Sequence, residues 1–189
     1  MFSFEIKNVK IGVSFSFFAI ICLIFMWQTG STTKLLIVLL SCVIHELGHI
    51  IMMCLCSVPP KRIVAYGGGI KIYPDKSKML SECQDILILS AGCFVNLLVA
   101  GLSVWINRDF TYFSTANIFL GLFNLMPMKY FDGGRVLSLA LNDSKAVKII
   151  RIIFMIAFAS LIVGMFINGL FSISLIITFL YISASEFLT

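Results

Sequence analysis

Charged residues are scarce in this chain. Of its 189 residues, 12% are Asp, Glu, Lys or Arg and 60% are hydrophobic, whereas a typical globular chain has roughly 25% charged and about 45–50% apolar residues. The mean hydropathy of +1.05 implies more apolar surface than a single core of this size can bury. This scarcity of charge excludes a soluble domain and indicates a polytopic membrane protein.

Paired cysteines and basic clusters are missing as well. The six cysteines form no Cys-x-x-Cys pair, and most of them lie in apolar runs, which argues against a disulfide framework and against metal ligation by cysteine. The net charge is +5, but no basic cluster lies beside aromatic residues on a polar segment. A nucleic-acid partner is therefore not expected.

Six apolar runs account for most of the chain. At 1.5 Å per residue each is long enough to cross about 30 Å of hydrocarbon, the fourth only marginally. The first is long for a signal-peptide core, and no small-residue cleavage site follows it, so we expect it to remain as a span. The runs are Ile11–Trp27, Leu35–Val58, Ile86–Ile106, Thr111–Met126, Val147–Ile167 and Leu170–Leu188.

These runs predict an all-α polytopic membrane protein with about six transmembrane helices. We expect residues 1–189 to form a single membrane domain without a soluble regulatory domain. All but Lys34 and Arg108 of the 14 Lys and Arg residues then fall on one side of the membrane. Because cytoplasmic loops carry the excess of basic residues, both termini are expected in the cytoplasm.

A polar stretch separates the second and third runs. Within it, Gly67–Gly69 divides two short segments of strand-forming residues, 62–66 and 70–73, which is typical of a short β-hairpin-like loop. Two interpretations stay open. The glycines either make only a turn, or they let an extended peptide approach an unpaired strand edge and add to it as a further strand.

The chain has only two histidines, and both lie in the second apolar run. His45 and His49 bracket Glu46 in an H-E-x-x-H pattern. On a helix, positions i and i+4 share one face, so both imidazoles can ligate one Zn²⁺ at about 2.0–2.1 Å. Glu46 projects to the side of that face, where its carboxylate can accept a proton from an attacking water instead of ligating the metal.

A catalytic zinc site needs a third protein ligand. Of the nine acidic residues, only Glu46 and Asp132 lie within or against the apolar runs rather than in loops or at the termini. Ionisable groups at membrane depth are costly and indicate function, so Asp132 is the candidate for that ligand, with one zinc per chain. The alternatives are a helix cap or turn for Asp132, and a buried packing cluster or a proton relay for the histidines and Glu46.

Two motifs in this order resemble a known family. The H-E-x-x-H of the second run and the N-L-x-P-x-x-x-x-D-G-G pattern of residues 124–134 are similar to those of the site-2 protease family of intramembrane zinc metalloproteases, peptidase family M50. Within the family, the chain resembles the compact six-span sporulation type.

The resemblance implies a function and a set of site residues. His45, His49 and Asp132 match zinc ligands, Glu46 matches the catalytic glutamate, and Asn124 matches an asparagine associated with the active site. For Asn124 we expect donation to the oxyanion or a contact that holds the substrate backbone. The implied reaction is hydrolysis of a peptide bond in a membrane-embedded or membrane-associated protein, such as a sigma-factor precursor or an anti-sigma factor. The implied partners are that substrate and the lipid bilayer; the sequence predicts no oligomeric state.

Other chemistries fit less well. The chain contains no G-x-S-G and no G-x-G-D signature, which disfavours serine and aspartyl intramembrane proteases. A membrane metal-ion transporter using the same His, Glu and Asp cluster is the main alternative, although transit favours weak coordination at several sites rather than one compact set. Cys93 stands where the family often has proline, so no role is assigned to the nearby Asn96.

Overall fold

The computed structural model describes residues 2–6, 9–15, 17, 31–66, 69–75, 80–109, 111–169, 176–177, 179–180, 183–184 and 186. These residues form four strands and five helices. The strands are β1 (Phe2–Ile6), β2 (Val9–Val13), β3 (Pro60–Tyr66) and β4 (Gly69–Pro74). The helices are α1 (Thr32–Leu55), α2 (Glu82–Asn107), α3 (Tyr112–Asn124), α4 (Asp132–Ala140) and α5 (Lys145–Ile167).

Three of these helices are long and apolar enough to cross a membrane. They are α1, α2 and α5, with 24, 26 and 23 residues, and they correspond to the second, third and fifth predicted runs. Helix α3 has 13 residues, or about 20 Å at 1.5 Å per residue, which is less than the hydrocarbon thickness. Most of the first and sixth predicted runs lies outside the described residues, so six spans stay a prediction.

The four strands correct the prediction of an all-α fold. They form one sheet in the order β1-β2-β3-β4, in which β2 pairs antiparallel with β1 and parallel with β3. Ile11, expected to begin the first span, instead pairs with Phe4 and Ile63. Apolar and other residues alternate along β2 with the period of two that is typical of a strand, and the hydropathy of the run that follows concealed this alternation.

The segments that flank the glycines pair with each other. Strands β3 and β4 are antiparallel, from Tyr66 opposite Gly69 to Pro60 opposite Pro74, while Gly67 and Gly68 lie outside the described residues. The expectation of a free edge needs a correction for β3, because β2 pairs with its other side. Among the described residues, an open edge is left on β4 and on β1.

The sheet has two unlike faces, because residues paired across neighbouring strands point to the same side. One face is basic and aromatic. On it the Arg62 guanidinium lies 5.9 Å from the ring centre of Tyr73, and the Lys71 ammonium lies 5.0 Å from that of Tyr66. The other face is apolar and half-buried, with Ile11, Ile63, Ile70 and Ile72.

The chain divides into two compact units, Met1–Gly121 and Leu122–Thr189. In the first, α1 packs closely on α2 through small residues, as membrane helices commonly do. A Cβ added to Gly48 would lie 2.8 Å from the backbone oxygen of Ala91, so this approach requires glycine. The Asn117 amide of α3 donates to the Ser41 hydroxyl of α1 at 3.0 Å, which links a third helix to the pair.

The second unit has a small apolar core and a short helix that the sequence did not predict. Its core is formed by Met128, Phe131 and Met155. Helix α4 begins at Asp132, and the backbone of the preceding loop packs against its first turn. The apolar core and this backbone contact together fix the loop that precedes α4.

Candidate metal centre

The two histidines of the first unit face each other within a buried environment. His45 and His49 are 6% and 8% exposed, and their rings meet edge to face with centres 4.7 Å apart. The Nε2 atoms of the two rings are 3.1 Å apart. Two ligands of one tetrahedral zinc, each at about 2.0–2.1 Å, would be about 3.3–3.4 Å apart. The pair therefore fits two ligands that converge on one ion.

A backbone carbonyl of α2 sets the protonation of His49. The Nδ1 atom of His49 lies 2.7 Å from the carbonyl oxygen of Ile88. A carbonyl oxygen only accepts, so Nδ1 carries the proton and donates it, and Nε2 keeps its lone pair. A histidine that binds a metal through Nε2 needs this arrangement. Sequence reasoning missed Ile88, because any residue type can present a backbone carbonyl.

Gly92 of α2 makes the room that the histidines occupy. A Cβ at this position would lie 2.5 Å from Nε2 of His49 and 2.8 Å from Cε1 of His45. Contacts this short would displace both rings. The sequence showed this glycine but gave no reason for it, since the reason is a contact between residues more than 40 positions apart in the chain.

Asn96 lies one helical turn beyond Gly92. It is completely buried, and neither its amide nitrogen nor its amide oxygen has a hydrogen-bond partner in the part of the chain that the structure describes. Burying an unpartnered amide is costly, so Asn96 places a polar group inside the protein one helical turn from Gly92 at a cost in stability.

Glu46 follows His45 directly on α1. It is half-buried, and its place in the helix directs it about 100° away from His45, to the side of the histidine face. This position matches the one that the H-E-x-x-H pattern gives to a proton acceptor rather than to a ligand.

The other two predicted site residues lie in the second unit or at its start. Asn124 ends α3 and Asp132 begins α4, and both are half-buried. Phe131, not Asp132, occupies the N-cap position of α4, which disfavours a cap as the sole role of Asp132. At the first position of a helix, its carboxylate is also stabilised by the positive end of the helix dipole.

The glycines after Asp132 explain the D-G-G pattern. A Cβ on Gly133 would collide with the carbonyl of Leu125, and one on Gly134 would collide with the carbonyl of Met128. The chain between Asn124 and Asp132 therefore rests directly on the backbone of α4. Only residues without a side chain permit this contact, which fixes the two ends of the segment relative to each other.

Comparisons with known proteins identify similar chains. Residues 33–112, which include His45, Glu46 and His49, match the family model described as Peptidase family M50. The chain is 30% identical over 120 residues to stage IV sporulation protein FB of Bacillus subtilis (strain 168), which covers 59% of this chain. The chain spans about two fifths of the length of that relative, 41%.

A solved structure has the same fold. The site-2 protease from Methanocaldococcus jannaschii superposes with a TM-score of 0.64 at 24% identity, covering 96% of this chain and 92% of that one. The fold and the apolar helices thus define an integral membrane protein of the site-2 protease fold. The match of residues 33–112 to the family model and the similarity to the sporulation protein both support the resemblance to peptidase family M50 that the motifs indicate.

Proposed function

We propose that this protein is an intramembrane zinc metalloprotease that hydrolyses a peptide bond in a membrane-embedded or membrane-associated protein. The observation that carries the proposal is the buried pair His45 and His49, whose Nε2 atoms converge to 3.1 Å on a helix apolar enough to span a membrane. Glu46 between them supplies the proton acceptor that peptide hydrolysis needs and a packing cluster does not.

One zinc ion per chain is held, on this proposal, by His45, His49 and Asp132. The proton on Nδ1 of His49 and the space left by Gly92 both support a metal at the histidines. Asp132 is proposed from the D-G-G motif and from its half-buried place at the start of α4. When bound, zinc polarises the scissile carbonyl and makes the attacking water more acidic.

Glu46 then moves the proton. Its carboxylate takes a proton from the water as the water oxygen bonds to the carbonyl carbon, and it gives that proton to the leaving nitrogen as the peptide bond breaks. The Asn124 amide N–H donates to the oxygen on which negative charge develops. Loss of one such donor costs about 10²–10³ in rate in other enzymes.

The substrate has to be extended or locally unwound, because a helix shields its peptide bonds by its own hydrogen bonds. We propose that the open edge of β4 receives it as an added strand, in which main-chain hydrogen bonds supply the affinity. The similarity to a sporulation protein supports a sigma-factor precursor as substrate, and an anti-sigma factor is the alternative. The site lies in a bacterial cell membrane with both termini in the cytoplasm.

A metal-ion transporter built on the same ligands is the second candidate. Co-expression with tagged membrane substrates distinguishes the two, by comparing the parent chain with Glu46→Gln. We expect Glu46→Gln to keep about one zinc per chain and to lose cleavage, because Glu46 accepts protons and does not ligate. His49→Ala should lose both zinc and cleavage. Continued cleavage by Glu46→Gln would overturn the protease proposal, and zinc flux in vesicles without any cleavage would favour the transporter.

A further inference from the structure

The second unit contains a buried ion pair that no step of the proposed reaction uses. Arg151 of α5 and Glu186 join Nη1 to Oε1 at 3.2 Å, and their side chains are only 10% and 12% exposed. Both residues lie away from the motifs that define the family. A buried pair of this kind repays its desolvation only when its geometry is good and its other polar atoms are also bonded.

Both members of the pair bond to the chain on either side of Asp132. Glu186 accepts from the backbone N–H of Lys129 through Oε2 at 3.0 Å. Arg151 donates through Nη2 to the carbonyl of Gly134 at 3.2 Å and to the Ser138 hydroxyl at 2.7 Å. Lys129 lies three residues before Asp132, and Gly134 lies two residues after it. The ion pair thus connects the backbone segments before and after the proposed ligand Asp132.

A contribution to stability is a weak reason for this ion pair. Replacing a buried ion pair by apolar residues of similar size is often neutral or stabilising, and charges at membrane depth are costly. An apolar pair cannot supply hydrogen bonds of defined direction. The planar guanidinium donates along fixed lines to Glu186 and to Gly134 at once, so it sets the distance between the two ends of the segment.

We propose that Arg151 and Glu186 are positioning residues that hold Asp132 in the orientation required to bind zinc. The proposal rests on the function proposed above. With Lys129 and Gly134 tied to one rigid ion pair, and with α4 pressed against the preceding loop at Gly133 and Gly134, the backbone of Asp132 has little freedom. Its carboxylate is then aimed before zinc arrives, and binding requires little further ordering.

The test uses the double variant Arg151→Met/Glu186→Gln, which removes both charges and leaves no unpaired charge buried. Outer partners of a metal ligand typically contribute about 10- to 100-fold to metal affinity or activity. We therefore expect the zinc dissociation constant, measured by chelator competition in detergent, to rise about 10- to 100-fold. KM for a tagged substrate should stay unchanged, because the proposal gives neither residue a contact with the substrate.

Two further variants separate positioning from general stability. Lys148→Met removes an exposed cation from the same helix and should leave zinc affinity within about twofold of the parent. Arg151→Lys keeps the charge, but one ammonium lacks the guanidinium's planar fork of donors, so its zinc affinity should fall between those of the parent and the double variant. Full affinity in Arg151→Lys would overturn the role of the fork.

The melting temperature of the zinc-free protein completes the test. If the double variant melts with the parent and binds zinc more weakly, the pair positions Asp132. If its zinc affinity lies within twofold of the parent, the positioning proposal is wrong, while cleavage by the parent chain leaves the protease proposal standing. Where the double variant does not accumulate, Glu186→Gln is measured instead, with a smaller expected loss of affinity. A parent chain without zinc would overturn both proposals.

Discussion

The two units hold their site residues by opposite means. In the first, the histidines lie between apolar helices that approach closely at Gly48 and Gly92, and one backbone carbonyl fixes the protonation of His49. In the second, Asp132 begins a short helix whose surroundings are tied by an ion pair and by backbone contacts. The neutral histidines are held by helix packing and one hydrogen bond, whereas the backbone on both sides of Asp132 is held by an ion pair.

The largest expected effect tests the packing side of this comparison. Gly92→Ala places a methyl group against the histidine rings, which must turn away from a shared ion. Misplacement of a catalytic group by about 1 Å can cost about 10²-fold in rate, so we expect cleavage to fall by at least that factor and zinc to be lost. Since the clash is with side chains, the melting temperature of the zinc-free protein should change little.

Gly101→Ala is the matched control on the same helix. Its Cβ would meet no described atom within 4 Å, and alanine is favoured over glycine in a helix by about 1 kcal/mol. Zinc content and cleavage should equal those of the parent. Equal loss of zinc and cleavage in both variants would show that any methyl group added to α2 disturbs the site, so the contact at Gly92 would have no special role.

An intermediate effect is expected from the other unit. Gly134→Ala drives a methyl group into the backbone of Met128, and backbone cannot turn away as a ring does. We expect a loss of about 1–3 kcal/mol of stability, as for other overpacked sites, and a lower melting temperature already in the absence of zinc. Gly164→Ala on α5, where the added methyl would meet no described atom within 4 Å, is the control. If Gly134→Ala melts at the temperature of the parent, the two units do not differ in the way proposed.

The smallest effect concerns the strand edge of the first unit. In an antiparallel pair, successive residues direct their N–H groups alternately toward and away from the partner, so of Lys71 and Ile72 in β4 one faces β3 and the other the open edge. Proline at the edge-facing position removes a donor for an added strand only. Loss of one hydrogen bond predicts cleavage slower by about 3- to 10-fold, with zinc content unchanged.

The melting temperature identifies which proline faces outward, because proline toward β3 weakens the sheet itself. If the variant that melts with the parent also cuts at the parent rate, strand addition is wrong and the glycine loop is only a turn. Val64 is unsuitable for this test, since β3 is paired on both sides.

The proximity of the two histidines was predictable from local spacing, and the contacts that support it were not. The H-E-x-x-H interval places both histidines on one face of α1, and the strand-forming residues on either side of the glycines indicated strands there. Nothing local points to the Ile88 carbonyl or to the pairing of Arg151 with Glu186, which lie 35 residues apart. Glu186 counted as a terminal acid in the sequence, but its side chain is only 12% exposed in the fold. The strands before residue 14 escaped notice because a long apolar run follows them.

The amphipathic sheet bears on the distance between the membrane surface and the histidines, which water must cross. A surface with cations and tyrosines on one side and isoleucines on the other is most stable where lipid meets water, so we expect the sheet to lie at the membrane surface near the end of α1. His49 and His45 lie six and ten residues before the last residue of α1, or about 9 and 15 Å along the helix axis. A sheet at the membrane surface would thus place the histidines two to three helical turns below that surface. This depth is enough to meet a buried peptide bond, and a short chain of water molecules can still reach it.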